Sequence, residues 1–204
     1  GIFVYREAFA VKGKRYVFSG LICRVQLCDF AERVILPHEE TLTKAKTDRF
    51  RLMEHTFCNF SSIYSLYNDE PGAVRAIIQA AAQRPPLAEF TDGEEVTHSL
   101  WKIEDPATLE TLVRIFSDKQ LFIADGHHRY ETALNFRRAL EERGARAGTD
   151  ADSILMTLVD MADDGLVIFP THRMIVDLPI DRAALFEKCA PYFEITEEPD
   201  VARA

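Results

Sequence analysis

The sequence predicts an α/β fold in which helices pack against a mixed sheet. Short apolar runs that suit strands are interspersed with longer segments of helical periodicity. Turn dipeptides such as Asp125-Gly126 separate several of these segments. The composition, 47% hydrophobic and 28% charged residues, is ordinary for a globular protein. The 204 residues suit one domain, or one domain with part of another.

The first half of the chain begins with a predicted β-hairpin. Residues 2–9 and 15–27 are rich in β-branched and aromatic residues, and a turn at 11–14 separates them. A helix is predicted over residues 42–50, with acidic residues before it and basic residues within it, as the helix dipole favours. A strand at 60–67 and an amphipathic helix at 73–83 follow.

The second half continues with a predicted strand at 96–103. Asp105-Pro106 then supplies an N-cap and a proline at the first position of a helix. Two apolar strands, residues 154–161 and 166–176, are predicted to form a hairpin. A helix at 182–189 and a strand at 192–195 come last. These elements predict a core domain over residues 1–176 and the start of a further unit over 177–204.

The central stretch, residues 120–134, is the part of the sequence that most directly suggests a function. Residues 121–124 read as a short buried strand, and Asp125-Gly126 reads as a tight turn. A helix is predicted from His127, with Gly144 as its stop. Asp125 is a candidate to cap this helix through its carboxylate.

This strand, glycine turn and helix suit the binding of an anion. A helix N-terminus offers unpaired N–H groups and a partial positive charge, and Gly126 allows the backbone to come close to a ligand. His127, His128 and Arg129 add donors in the first turn. In the alternative interpretation the histidines cap the helix or face solvent, and Arg129 pairs with a carboxylate. Adjacent histidines point about 100° apart, which disfavours a zinc site there.

Two other segments carry candidate site residues. His38 and Glu39 precede the first helix, where a carboxylate beside an imidazole could be a general base. Lys46 and Arg49 are candidate anion ligands on that helix. In the alternative interpretation, Glu39 and Glu40 are only acidic residues in the first turn of a solvated helix. Thr171, His172 and Arg173 interrupt an apolar strand, either as a second edge of the same pocket or as the exposed face of an edge strand.

Charge and cysteine content exclude some classes of function. The net charge of -9 and the pI near 5.2 argue against broad binding of nucleic acids or of anionic membranes. No apolar run approaches the length of about 18 residues of a membrane span. The four cysteines show no C-x-x-C pair and suit reduced thiols in a cytoplasmic protein. The first residue is not methionine, and both ends suggest a fragment of a longer protein.

Three segments of the chain resemble the family of unknown function numbered 1015. The segments are Pro37 to Thr41 with Lys46, Asp48 and Arg49; Ala124 to Ala133; and Pro170 to Arg173. The Asp-Gly-His-His-Arg sequence of residues 125–129, here the DGHHR motif, is also similar to the phosphate-binding motif of the ParB/sulfiredoxin-like superfamily. That superfamily contains free-serine kinases, sulfiredoxins and ParB nucleotidases.

The similarity to the kinase branch implies roles for individual residues. His127 and Arg129 would hold phosphates, Asp125 would assist the acceptor or Mg²⁺, and Glu39 would act as base towards a hydroxyl group. Glu40 adjoins Glu39, and the choice between them stays open. The cysteine of the sulfiredoxin motif is absent from the central stretch, so repair of sulfinic acids is not expected.

Three hypotheses of function follow. The first is a phosphotransferase that uses ATP or ADP with Mg²⁺ and acts on a small metabolite bearing a hydroxyl group. The second is a regulatory module that binds the nucleotide without turnover. The third is a metal-dependent hydrolase built from the histidines His38, His127, His128 and His172. The sequence identifies neither the substrate nor the oligomeric state.

Overall fold

A computed structural model of the chain describes residues 1–39, 43–144, 148–168, 176 and 179–196, without the side chains of residues 43–46. The chain divides into two units, Gly1–Val167 and Ile168–Ala204. The boundary predicted after residue 176 falls inside the second unit, and its place stays a prediction.

The first unit holds eight strands and four α-helices within its described residues. The strands are β1 (Ile2–Val11), β2 (Lys14–Gln26), β3 (Ile35–Leu36), β4 (Ile63–Tyr67), β5 (Ala88–Thr91), β6 (Thr97–Ile103), β7 (Leu121–Asp125) and β8 (Ser153–Asp160). The helices are α1 (Thr43–Thr56), α2 (Ala73–Ala81), α3 (Pro106–Phe116) and α4 (His127–Glu142). In the second unit the described residues contain α5 (Arg182–Cys189).

The strands form one mixed sheet in the order β3-β7-β4-β8-β2-β1-β6-β5. Two neighbouring pairs, β3 with β7 and β4 with β8, are parallel. The other neighbours, including the predicted hairpin of β1 and β2, are antiparallel. The α/β fold class is therefore confirmed. Within the described residues, no helix has the length and apolar character needed to cross a membrane.

The helices carry the apolar faces that their periodicity predicts. Val74, Ile78 and Ala81 of α2 are buried, as is Leu112 of α3. The predicted cap of α3 is confirmed, because the Asp105 carboxylate accepts a hydrogen bond of 2.9 Å from an amide of the first turn. Such caps stabilise a helix by about 1 kcal/mol.

Helix α4, which begins at the DGHHR motif, is held in place by two aromatic residues. Phe136 contacts the rings of Phe50 and Phe57 edge to face, with centroid distances of 5.9 and 5.8 Å. Tyr130 is fully buried, and its hydroxyl donates to the carbonyl and accepts from the amide of Cys28. The first turns of α4 are thus fixed to the loop that follows β2.

Two strands were not predicted, and one predicted strand is wrong. β3 has only two residues, and β5 is an exposed edge strand held by backbone pairing with β6, so neither carries an apolar period. Residues 192–195 form no strand, because the amides of Tyr192 and Phe193 donate to the Cys189 carbonyl at the end of α5. Residues 166–168 are also outside any strand, and most of the rest of that predicted strand lies outside the described residues.

Candidate functional site

The short parallel pair β3 and β7 determines which residues meet at the site. Ile35 lies opposite Leu121 and Leu36 opposite Phe122. Because the two strands are parallel, their carboxyl ends lie at the same edge of the sheet, where ligands commonly bind in α/β proteins. His38 and Glu39 follow β3 at this edge, and the DGHHR motif follows β7. Two segments almost ninety residues apart in the sequence therefore converge.

The predicted strand, glycine turn and helix are confirmed. β7 ends at Asp125, and Gly126 is the N-cap of α4 with a left-handed backbone, φ 100°. The prediction that Asp125 caps the helix is wrong, because the N-cap residue is Gly126, which has no side chain. The Asp125 carboxylate instead pairs with the Arg129 guanidinium one turn later, and its side chain is 75% exposed.

Arg129 connects the turn to the segment before β4. Its Nη1 donates to the hydroxyl of Ser61, at 2.8 Å, and to the carbonyl of Ser62, while Nη2 donates to Asp125. The sequence left open the alternative that Arg129 pairs with a carboxylate, and this pairing is present with Asp125. These contacts use three of the five N–H donors of a guanidinium, so donors remain for a ligand.

The guanidinium also explains the glycine of the turn. A Cβ atom added to Gly126 would lie 3.0 Å from both Nε and Nη2 of Arg129. The backbone of Gly126 also occupies the left-handed region that other residues adopt only with strain. Gly126 thus serves two purposes: it makes the turn, and it leaves room for the arginine.

His38, Glu39 and His127 form a cluster beside this turn. His127 is 1% exposed, and its Nδ1 lies 3.1 Å from Oε1 of Glu39. The backbone amide of His38 donates to Nε2 of His127 at 3.2 Å, and the two imidazole rings meet edge to face at 4.4 Å. Nδ1 of His38 lies 2.7 Å from the carbonyl oxygen of Ile123 in β7.

The hydrogen bonds of His127 determine its tautomer. Because Nε2 accepts from an amide, the proton of the neutral ring is on Nδ1, which faces Glu39. The distance to Glu39 suits a hydrogen bond, but the direction does not, and Nδ1 has no aligned partner. Burial and the nearby His38 lower the pKa of His127, against opposing effects of Glu39 and Asp125. The imidazole is therefore neutral near pH 7.

The other predicted ligands lie in different places. Arg49 of α1 lines a cleft together with Ser61 and Arg129, so two guanidinium groups and a hydroxyl group share one surface. His128 is half-buried and is not part of the cluster around His127. Lys46 lies on α1, but its side chain is outside the described part of the chain.

Several predicted residues cannot be placed. Glu40 lies outside the described residues, as do Thr171, His172 and Arg173, so their roles stay predictions. The sequence analysis missed Ser61 and Ser62, which bind Arg129. The sequence gives little indication of this role, because two small polar residues before a strand are common in loops.

The chain was compared with known families and proteins. A family model described as "Protein of unknown function (DUF1015)" matches residues 1–203. No curated protein and no solved structure matches the chain. The family match covers almost the whole sequence.

We expect Gly126→Ala to destabilise the fold by about 1–3 kcal/mol, the usual cost of a strained backbone, with a further cost from the clash at Arg129. Gly144→Ala is the matched control, since Gly144 also has a positive φ, 88°, but no atom of the described residues lies within 4 Å of its Cβ position. Urea denaturation of both variants measures the difference. Equal losses of stability would show that the contact with Arg129 contributes nothing.

We also expect a pH dependence of stability from His127. Its pKa is lower in the folded chain than in the unfolded chain, where an imidazole has a pKa near 6.5. As the pH falls from about 7, the unfolded chain therefore binds this proton before the folded chain does. The free energy of unfolding decreases as a result. The measurement is urea denaturation at several pH values with a chelator present.

The matched variants are His127→Gln and His55→Gln, the second being an exposed histidine of α1. His127→Gln should show a smaller loss of stability on acidification than the wild type, and His55→Gln a similar loss to the wild type. If the free energy of unfolding decreases as steeply with falling pH in His127→Gln as in the wild type, the pH dependence does not come from His127.

Proposed function

The chain belongs to the DUF1015 family, and we propose that this member is a phosphotransferase. It binds the phosphates of ATP or ADP, with Mg²⁺, at the N-terminus of α4, and it transfers a phosphoryl group to a small metabolite bearing a hydroxyl group. The observation that carries this proposal is the position of Glu39: its carboxylate lies 3.1 Å from His127, the first residue of that helix. A candidate base and a candidate phosphate-binding turn therefore share one site.

Three features support anion binding at the turn. The first amides of α4 have no partners within the helix and point towards its N-terminus, where the helix dipole favours negative charge. The left-handed Gly126 places no side chain in front of them. Arg129 and Arg49 line one cleft, and a guanidinium binds two phosphate oxygens in a fork.

The structure supports a different role for His127 from the one that the family resemblance implies. Its ring is buried and both ring nitrogens face protein groups, so the ring is not presented to a phosphate. The neutral imidazole instead lies beside the Glu39 carboxylate, with Nδ1 3.1 Å from Oε1. The phosphate ligands in this proposal are therefore the main-chain amide of His127 and the side chain of His128, which is half-buried.

Glu39 is suited to take the proton of an acceptor hydroxyl. Its side chain is 52% exposed, so a substrate can reach it. In the proposed step the hydroxyl proton moves to the carboxylate, the hydroxyl oxygen bonds to the terminal phosphorus, and the bond to the leaving nucleotide oxygen breaks. Such transfers depend mainly on positioning and charge neutralisation. Mg²⁺ would supply part of that charge, with the exposed Asp125 as a candidate ligand.

The resemblance of the DGHHR motif to a known phosphate-binding motif also supports the proposal. Its similarity to the phosphate-binding motif of the ParB/sulfiredoxin-like superfamily implies the same chemistry at the same turn. The free-serine kinases of that superfamily also use a glutamate that precedes the motif in the sequence, as Glu39 does here. We also propose that this chain and that superfamily share a fold.

We expect ATP, ADP or inorganic phosphate to bind at millimolar concentrations or below, as measured by isothermal titration calorimetry. Arg129→Ala should weaken binding by about 1.5–3 kcal/mol, the scale of a hydrogen bond to a charged group. Arg129→Lys should recover part of this loss, because an ammonium group cannot form the fork.

Arg129 also holds Ser61 and Ser62, so the folding of its variants must be checked by circular dichroism. Arg49→Ala avoids this difficulty, since Arg49 is exposed on α1, and it should also weaken binding. Arg51→Ala on the same helix is the control, because Arg51 does not line the cleft. Absence of binding by the wild type, or equal binding by all variants, would exclude the phosphate site.

We further expect Glu39→Gln to lower turnover by about 10²–10⁴-fold, the usual contribution of a general base, while nucleotide affinity hardly changes. Single-turnover assays with labelled ATP and a panel of small hydroxyl compounds measure this effect. Glu40→Gln is the neighbouring control. Normal turnover in Glu39→Gln would refute the assignment, and nucleotide binding by the wild type without any turnover would favour the regulatory module.

A further inference from the structure

We propose that His38, Glu39 and His127 form a binding site for one divalent transition-metal ion, of the class of Zn²⁺ or Co²⁺. Each residue offers one ligand atom, and these atoms all lie within 4.8 Å of one another. The site lies at the carboxyl ends of β3 and β7. It goes beyond the proposed function, in which the metal is Mg²⁺ carried by the nucleotide.

His38 is already oriented as a metal ligand. Its Nδ1 lies 2.7 Å from the carbonyl oxygen of Ile123, so the proton is on Nδ1 and the lone pair is on Nε2. Metal-binding histidines commonly donate their second ring nitrogen to a carbonyl or carboxylate in this way, which fixes both the tautomer and the ring orientation. The side chain is exposed, so an ion can reach it.

His127 supplies the buried part of the site. The ring is 1% exposed, and its Nδ1 is a buried polar atom without an aligned hydrogen bond, although Glu39 lies beside it. Buried polar atoms without a partner are rare in proteins and require an explanation. An ion between Nδ1 and the Glu39 carboxylate gives this nitrogen a partner.

Metal binding at Nδ1 changes the hydrogen bonds of His127. The neutral ring has one lone pair, which now accepts from the His38 amide through Nε2. When Nδ1 binds the ion, the ring proton moves to Nε2, and the His38 amide must turn away from it. The cluster therefore has a metal-free state with the amide bond and a metal-bound state without it.

The ligand set selects the class of metal. Two imidazoles and one carboxylate suit Zn²⁺ and neighbouring transition metals, whereas Mg²⁺ prefers oxygen ligands. Three protein ligands leave a further position for water or substrate, as in catalytic zinc sites. Adjacent histidines such as His127 and His128 point too far apart to bind one ion, whereas the structure brings His127 together with His38.

Metal binding and base action by Glu39 exclude each other, because a carboxylate that binds the ion cannot also take a proton. If the proposed phosphotransfer is correct, Zn²⁺ inhibits it at the concentrations at which the ion fills this site. This consequence rests on the proposed function, whereas the binding of the ion does not.

The test is the binding of metal alone to the chain, without nucleotide and after removal of any affinity tag and of bound metals by a chelator. Co²⁺ is followed by its visible absorption, and Zn²⁺ by isothermal titration calorimetry. We expect one ion per chain. His38→Ala and Glu39→Gln should each weaken binding at least tenfold, and both residues are exposed, so the fold should tolerate the changes. His55→Ala, which removes an exposed histidine of α1, should bind as the wild type does.

Two results would overturn the proposal. One is the absence of stoichiometric binding of either ion by the wild type. The other is binding that survives in both His38→Ala and Glu39→Gln, as it would if cysteines such as Cys28 or Cys58 held the ion. Because the assay contains no nucleotide, failure of the phosphotransferase proposal leaves its outcome unchanged.

Discussion

The candidate site depends on a parallel pairing that is only two residues long. Ile35 and Leu121 are buried partners in β3 and β7, and the Leu121 amide donates to the Val34 carbonyl at 2.9 Å. This register places the residue after Pro37 beside Ile123, so that the His38 imidazole meets the Ile123 carbonyl. A shift of β3 by one residue along β7 would turn the buried side chain of Ile35 outwards. It would also separate Glu39 from the start of α4.

Polar contacts then hold the turn after β7 in one geometry. Gly126 leaves the space that the Arg129 guanidinium occupies, and the guanidinium reaches the hydroxyl and carbonyl groups before β4. Arg129, the side chain best suited to bind a phosphate, thus also has a structural role. An anion that binds here must share Arg129 with Asp125, which is the reason that exposed Arg49 is the cleaner probe of binding.

The parts of the fold that depend on local sequence were predictable. The hairpin of β1 and β2 and the glycine turn before α4 have turn residues with a known geometric requirement. β3 was not predictable, because two apolar residues carry no period, and the contact between Arg129 and Ser61 joins residues far apart in the sequence. The importance of Glu39 came from the family resemblance, and its position beside His127 required the register of β3 and β7. The predicted cap by Asp125 is wrong because its carboxylate pairs with the Arg129 guanidinium instead of the helix amides.

The most direct test of the account is an experimental structure of the chain with a non-hydrolysable ATP analogue and Mg²⁺. We expect phosphate oxygens within hydrogen-bonding distance of the first amides of α4 and of Arg129. The Glu39 carboxylate should face the terminal phosphate from the side of His127. A nucleotide bound elsewhere, or a Glu39 side chain separated from His127 by a different register of β3, would contradict it.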